Sequence, residues 1–323
     1  MYLATSPETP RTAAPPGPAP SGTALPGPAP SGPAPLRLAR AVSRTFGEGP
    51  PFLPDPVEPG LDRMQSDLAR PYGVAYLPDR LKSGRRNTYT EMTQALLADL
   101  GEPGGPVDLV LVANSAPDAD PRRSPSCFLT EALPGDALAF NVSDQGPTTG
   151  FTALRLAEQY ARDDGFRRVL LVLVDQRTFL YDTEGAAGVP LHDSAVALLF
   201  DDTGAAGGFQ TRRFTGVTPG QVGALLDEAI AGPPHTGDLP LTLITGADLD
   251  ATRLDAHGRP IDVRRAEPGR PCTGPWRELA EALPDLASSG PRRVVVADHD
   301  PVLHYLCVAT ATLNAPEMEE PPS

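Results

Sequence analysis

The stretch Ala139-Phe140-Asn141-Val142, followed by Gly150-Phe151-Thr152-Ala153-Leu154, Ala157-Glu158-Gln159-Tyr160 and the run from Arg168 to Val174, decides the fold. A helix fits Thr152 to Asp163, with Gly165 as its stop. Val169 to Val174 is then the continuous aliphatic run that a strand buried on both faces requires. Upstream, Thr88-Tyr89-Thr90-Glu91 reads as a capping box, the threonine satisfying an orphan amide and the glutamate reaching back. Met92, Ala95, Leu96 and Leu100 follow at helical spacing, Gly101 ends that helix, and Val107 to Ala113 is another buried strand. Residues 36–46 suit a first strand, and the Pro-, Asp- and Arg-rich segment from there to about Asn87 reads as a long loop. Ala195 to Phe200 is a further strand.

The second half repeats this order. Phe209 to Val217 alternates like a strand, Gln221 to Ile230 is an amphipathic helix, and Leu241 to Thr245 is a strand. Pro275 to Ala287 carries a helix with Trp276, Leu279, Ala280, Leu283 and Leu286 on its apolar side. Val294 to Ala297 and Val302 to Thr310 close the series. Each half reads strand, helix, strand, helix, strand, strand. Two copies predict a pseudo-duplicated α/β domain with central helices between two sheets, although the alternation alone equally permits a doubly wound fold.

Of the 323 residues, 40 are proline, and 16 of those fall within the first 60, so the proline excess belongs to a tail. Residues 1–35 are expected to form a disordered arm in which Pro16-Gly17-Pro18-Ala19-Pro20-Ser21-Gly22 recurs as Pro26-Gly27-Pro28-Ala29-Pro30-Ser31-Gly32. The folded domain is expected over 36–314, in halves of about 36–205 and 206–314, with a flexible tail at 315–323. A net charge of −14 argues against nucleic acid and anionic membrane as partners, because such binding needs clustered cations. No apolar run approaches the ~18 residues of a membrane span, and no secretory signal pattern is seen. Three widely separated cysteines, Cys127, Cys272 and Cys307, suggest reduced thiols and a cytoplasmic setting.

The Ala139 to Val174 stretch resembles the thiolase superfamily, most closely its β-ketoacyl-acyl-carrier-protein synthase III group. Asp108 to Asp118 looks like that family's early strand ending in a Thr/Ser-x-Pro-Asp turn, and His192-Asp193-Ser194-Ala195 looks like its Gly-Asp-Gly-Ala strand. The resemblance covers about 36–314 and is most specific over 107–200. It implies a thiolase-like pseudo-duplicated sandwich and a Cys, His and Asn set. In that set a thiolate at a helix N-terminus accepts an acyl group, and the other two stabilise developing charge. This chain departs from the set at all three positions. The cysteine position falls between Gly146 and Thr148, just after Gln145, with no cysteine there; the histidine position is Gly246; and the Asn-Thr-Gly turn appears as Cys272-Thr273-Gly274.

Several residues remain as candidates. Gln145 matches the glutamine of chain-length-factor subunits in the resemblance, or is a plain turn residue. Thr148 and Ser143 are possible hydroxyl nucleophiles lacking a nearby base in sequence, and Cys272 is a possible relocated thiol or a small core residue. Cys127 precedes a helical stretch at the family's dimer interface, and Cys307 reads as core. His257 reads as exposed loop. His299 and His304 flank the turn Asp298-His299-Asp300-Pro301, whose metal-binding alternative is set against an ordinary Asp-rich turn. Arg85 and Arg86, in the run Arg80 to Arg86, and Arg122 and Arg123 offer a docking patch for an acidic carrier protein, or a solvated loop.

No metal and no resident cofactor is expected; acyl-CoA or a phosphopantetheinyl acyl-carrier protein is the implied ligand. The resemblance implies a dimer, either with an active-cysteine ketosynthase subunit or with itself, sealed by Cys127, Phe128, Leu129, Leu133, Leu138 and Phe140. The expected function is a non-catalytic, chain-length-factor-like partner in polyketide or fatty-acid-type secondary metabolism. The alternative is an acyltransferase or condensing enzyme that uses Thr148 or Cys272.

Overall fold

The capping box forms as the sequence dictates: the Thr88 hydroxyl accepts from the Glu91 amide while the Glu91 carboxylate accepts from the Thr88 amide. The computed structural model describes residues 36–51, 58–83, 85–143, 145–183, 188–204, 206–231, 239–249 and 261–313. The arm and tail expectations, and His257, lie outside them.

Among the described residues, the first half comprises β1 (Arg37–Phe46), α1 (Glu58–Ala69), α2 (Pro78–Ser83), α3 (Tyr89–Leu100), β2 (Leu109–Asn114), α4 (Pro125–Ala132), β3 (Leu138–Ser143), α5 (Thr149–Asp163), β4 (Val169–Asp175) and β5 (Asp193–Asp201). The second comprises β6 (Gln210–Thr215), α6 (Val222–Ala231), β7 (Leu241–Thr245), β8 (Ile261–Arg265), α7 (Gly274–Ser288), β9 (Arg292–Asp300) and β10 (Tyr305–Leu313). The sheets run β1-β5-β4-β2-β3 and β6-β10-β9-β7-β8, the same order twice. In each, the last three strands are parallel and the first two pairings antiparallel. The duplication is therefore exact in topology. Each copy holds one strand more than the expected series, β3 and β8.

Three differences from the sequence expectations have physical reasons. Helices α1 and α2 interrupt the stretch read as a loop, their apolar spacing masked by surrounding prolines. Strand β8, Ile-Asp-Val-Arg-Arg, is an edge strand with charged outward positions, so it lacks the aliphatic run that marks its neighbours. Asp298 to Asp300 are the last residues of β9 rather than a turn; the reversal lies at 301–304.

Strand alternation sorts the core into layers. Leu171 and Leu173 of β4 face inward with Val294 and Val296 of β9, burying Phe151 and Leu154 of α5 and Trp276 and Leu279 of α7 between the sheets. Leu170 and Val172 face outward to Met92 and Leu96 of α3, and Val295 and Val308 to Leu226 of α6. The central helices approach so closely that a side chain at Gly150 would collide with the Trp276 indole nitrogen. Phe151 packs on that indole with ring centres 4.9 Å apart. This contact fixes the N-termini of α5 and α7 at the carboxyl ends of the parallel strands.

Candidate active site

A cavity of about 210 Å³ opens where the parallel strands of both sheets end. Its walls include Ser115 and Ala116 after β2, Gly146 and Pro147 before α5, Ala247 and Asp248 after β7, Arg270 and Pro271 before α7, and Asp298 to Val302.

The turn into α5 is a single 3-10 turn, Gly146–Thr148, entered by Gly146 at φ +51. That positive φ has a steric companion: a Cβ on Gly146 would stand 2.5 Å from Asp300 Oδ2. Thr148 is fully buried, and its hydroxyl donates to the Gln145 carbonyl at 2.8 Å. The Gln145 side-chain oxygen accepts from the Thr152 hydroxyl at 2.5 Å. Gly146 and Pro147 line the cavity, whereas Gln145 and Thr148 do not.

At Gly246 any Cβ would collide with the Asp298 carboxyl, so that carboxyl takes the room a side chain there would need. Burial pushes the Asp298 carboxyl well above the usual carboxylate range, and the charges of Asp248 and Asp300 push it the same way. Asp298 accepts its neighbour's amide, from His299, and Asp300 Oδ1 accepts the amides of Val302 and Leu303.

Cys272 is fully buried at the start of α7, its thiol directed to the Ala113 carbonyl at 3.5 Å. Helix N-termini ordinarily lower a thiol's pKa. Here burial, followed by the charge of Asp175, pushes it well up. Asp175 caps this helix end, accepting from the Cys272 and Thr273 amides, the Thr273 hydroxyl at 2.7 Å and the Ser115 hydroxyl at 3.1 Å. Desolvation outweighs those hydrogen bonds and raises its carboxyl to about 6. Ser143, exposed at the end of β3, does not line the cavity. Burial likewise pushes the Cys307 thiol up, to about 12.

His299 Nε2 lies 3.4 Å from the Val217 carbonyl, and among the described residues no group of three or more His, Cys, Asp or Glu is placed to hold a metal. The basic residues divide. Arg86 is buried, and with Arg122 it clamps Asp120, at 2.8 and 2.6 Å, so both serve an internal ion-pair cluster. Arg85 and Arg123 are exposed, and Lys82 pairs with Asp62 at 3.0 Å. Asp175 and Arg270 escaped notice as site residues, and Asp298 and Asp300 stood out only as the carboxylates of the metal-binding alternative. The available signal was an aspartate directly ending an aliphatic run, at Val174-Asp175 and Ala297-Asp298.

No protein-family model and no curated protein matches the chain. Solved structures do. The tetronic acid condensing enzyme AbyA1 superposes with a TM-score of 0.56 at 16% identity, covering 86% of this chain and 99% of that one. The acyltransferase ChlB3 gives 0.53 at 17%, covering 87% and 98%. The 3-oxoacyl-[acyl-carrier-protein] synthase III of Aquifex aeolicus VF5 gives 0.53 at 12%, covering 85% and 99%. The fold is thiolase-like. In this thiolase-like frame, the three positions that the sequence resemblance assigns to Cys, His and Asn lie around the strand ends that bound the cavity. They carry a buried threonine turn, a glycine backed by Asp298, and a buried, capped cysteine.

Proposed function

We propose that this chain forms no acyl-enzyme of its own and serves as the partner subunit of a cysteine-bearing ketosynthase, shaping that enzyme's acyl tunnel in polyketide or fatty-acid-type assembly. The observation that carries this reading is the lining of the cavity. Among the described residues it holds no thiol, and the two candidate nucleophiles, Thr148 and Cys272, are fully buried and turned to backbone carbonyls. A thiol raised by burial is a poor nucleophile, and a threonine hydroxyl needs a base, which its partner among the described residues, the Gln145 carbonyl, cannot be.

The free edge of β3 supports the dimer. Its exposed Leu138 (44%) and half-buried Phe140 are apolar, whereas the matching edge strand β8 sets its one exposed apolar side chain, Val263 (49%), among Asp262, Arg264 and Arg265. The apolar side chains left for such a seam are fewer than expected, because Leu129 and Leu133 are buried in this chain's own core against α3. Arg85 and Arg123 remain the residues suited to meet an acidic carrier protein.

Incubation of the purified chain with acyl-CoA or acyl-carrier protein, followed by intact mass, tests the reading. No adduct is expected. A stoichiometric acyl adduct mapped to Thr148 or Cys272 would instead establish the acyltransferase alternative. Co-expression with a cysteine-bearing relative should give a mixed dimer on size exclusion; a relative that never associates and condenses at full rate alone removes the partner role.

A further inference from the structure

Residues 58–83, which carry α1 and α2, stand apart from the core that positions the cavity. Among the described residues, no side chain of this stretch joins the three buried apolar clusters of the molecule. Of the large apolar residues of α1, Leu61, Met64 and Leu68, the last two are 42% and 55% exposed. A short helix draws most of its stability from burying such a face, so α1 gains little by resting on the body. The seam is also loosely packed. A gap of about 10 Å³ lies between Leu61, Asp62 and Tyr76 on one side and Ala119, Pro121 and Leu180 on the other.

Hydrogen bonds tie the stretch down. Asp62 of α1 links it internally, accepting from the Tyr76 hydroxyl at 2.7 Å and from Lys82 Nζ, in α2, at 3.0 Å. Residues 75–77 then pair with 180–182 as a short antiparallel ribbon, the Leu77 amide donating to the Leu180 carbonyl at 2.7 Å and the Asp182 amide to the Ala75 carbonyl at 3.0 Å. Arg80 Nη1 donates to the Tyr181 carbonyl at 3.0 Å, and the Tyr181 hydroxyl donates to the Gln65 side-chain oxygen. Each such bond adds little net stability, and a segment with few buried apolar contacts opens locally, well below the cost of global unfolding.

The far side of the ribbon leads into the cavity. Phe179, next to Leu180, lines it together with Val189 and Leu191. The same three residues wall an outer vestibule of about 390 Å³, to which α2 contributes Arg80. We propose that residues 58–83 form a strap that opens as one unit, with Asp62 as its latch, and that opening it releases 180–182 and uncovers the way into the cavity. Asp62 is the latch because it alone joins α1 to both the ribbon, through Tyr76, and α2, through Lys82. The inference goes beyond the partner-subunit reading and does not rest on it, since it concerns access to the cavity whether or not the chain can be acylated.

Hydrogen–deuterium exchange of the full chain, read by mass spectrometry, tests it. Peptides covering 75–77 and 180–182 should exchange at matched rates, at least a hundredfold faster than those covering β4. Asp62→Ala should speed both by the same factor, tenfold or more, and leave β4 and α3 unchanged. Phe179→Trp reports on the mouth, because the chain's own tryptophan, Trp276, is fully buried. Acrylamide quenching of its fluorescence should rise at least twofold when Asp62→Ala is added. Protection of 180–182 as strong as that of β4 overturns the proposal. So does an Asp62→Ala variant that speeds neither peptide, loosens 75–77 alone, loosens the whole molecule, or leaves the quenching unchanged. Should Asp62→Ala fail to fold, Lys82→Met removes one arm of the latch and must still speed both peptides together.

Discussion

The two halves of the molecule end their central parallel strands with the same residue in opposite circumstances. In the first sheet Val174 of β4 pairs with Asn114 of β2, and the next residues are Asp175 and Ser115. In the second, Ala297 of β9 pairs with Thr245 of β7, and the next residues are Asp298 and Gly246. The Ser115 hydroxyl donates to Asp175, whereas Gly246 has no side chain to donate to Asp298 and its amide is bonded to the Ala297 carbonyl. Across the antiparallel pairing, Asp175 faces Ser194, which bonds Thr273 at 2.6 Å, and Asp298 faces Cys307. One aspartate is thus surrounded by donors and caps α7. The other keeps one donor, the His299 amide, and lines a cavity. Two buried carboxylates thus differ in how many donors meet them.

The largest effect that this contrast predicts is at Asp175. Replacing Asp175 by Ala orphans two amides at the start of α7 and removes the acceptor of the Ser115 and Thr273 hydroxyls. Each buried donor left unsatisfied costs about 1–3 kcal/mol, so a loss of at least ~3 kcal/mol is expected in urea unfolding. Asp298→Ala should cost far less. Equal losses at the two positions would break the comparison.

A middle-sized effect belongs to the glycine. Gly246→Ala drives a methyl group into the Asp298 carboxyl and should destabilise by ~2 kcal/mol. In an Asp298→Ala background the same change should be nearly neutral, which a double-mutant cycle in urea measures as coupling. At the matching position the chain already carries a side chain, Ser115, so Ser115→Ala should cost only the hydrogen bond, ~1 kcal/mol. If Gly246→Ala costs the same in both backgrounds, the carboxyl is not what reserves that space.

The doubled architecture was legible because buried parallel strands and helix caps are local signals: Val107 to Ala113, Val169 to Val174 and Thr88 to Glu91 each announce themselves. Edge strand β8 was not legible, since half-exposed Ile-Asp-Val-Arg-Arg has no buried run to read. Apart from the Asp298-His299-Asp300 segment, the site was legible as absence. Missing residues can be counted along a chain, and Gly246 stood where no histidine was found. What replaced it could not be seen, because Asp298 reaches that space from a strand 52 residues later through sheet pairing. Arg86 misled for the same reason: within its basic run it looks solvated, and only the fold brings Asp120 to it.

The smallest predicted effect, Asp298→Asn, is the most diagnostic because its sign is opposite to that at Asp175. The Asp298 carboxyl is raised in the folded chain, so it stays protonated there to a higher pH than in the unfolded chain, where an aspartate ionises near pH 4. Over the window between those two values the folded state binds more protons than the unfolded state. Stability therefore falls as pH rises from about 4 through that window. Asparagine cannot ionise, so Asp298→Asn should remove this loss, leaving stability unchanged near pH 4 and raising it by on the order of 1 kcal/mol at pH 8. Asp175, raised to about 6, adds its own decline between about pH 4 and 6, and the variant should keep that part of the slope. Urea midpoints across pH 4 to 9 measure both. A variant less stable than the parent at pH 8 would mean that Asp298 holds the fold together as Asp175 does, and the contrast between the two halves would be lost.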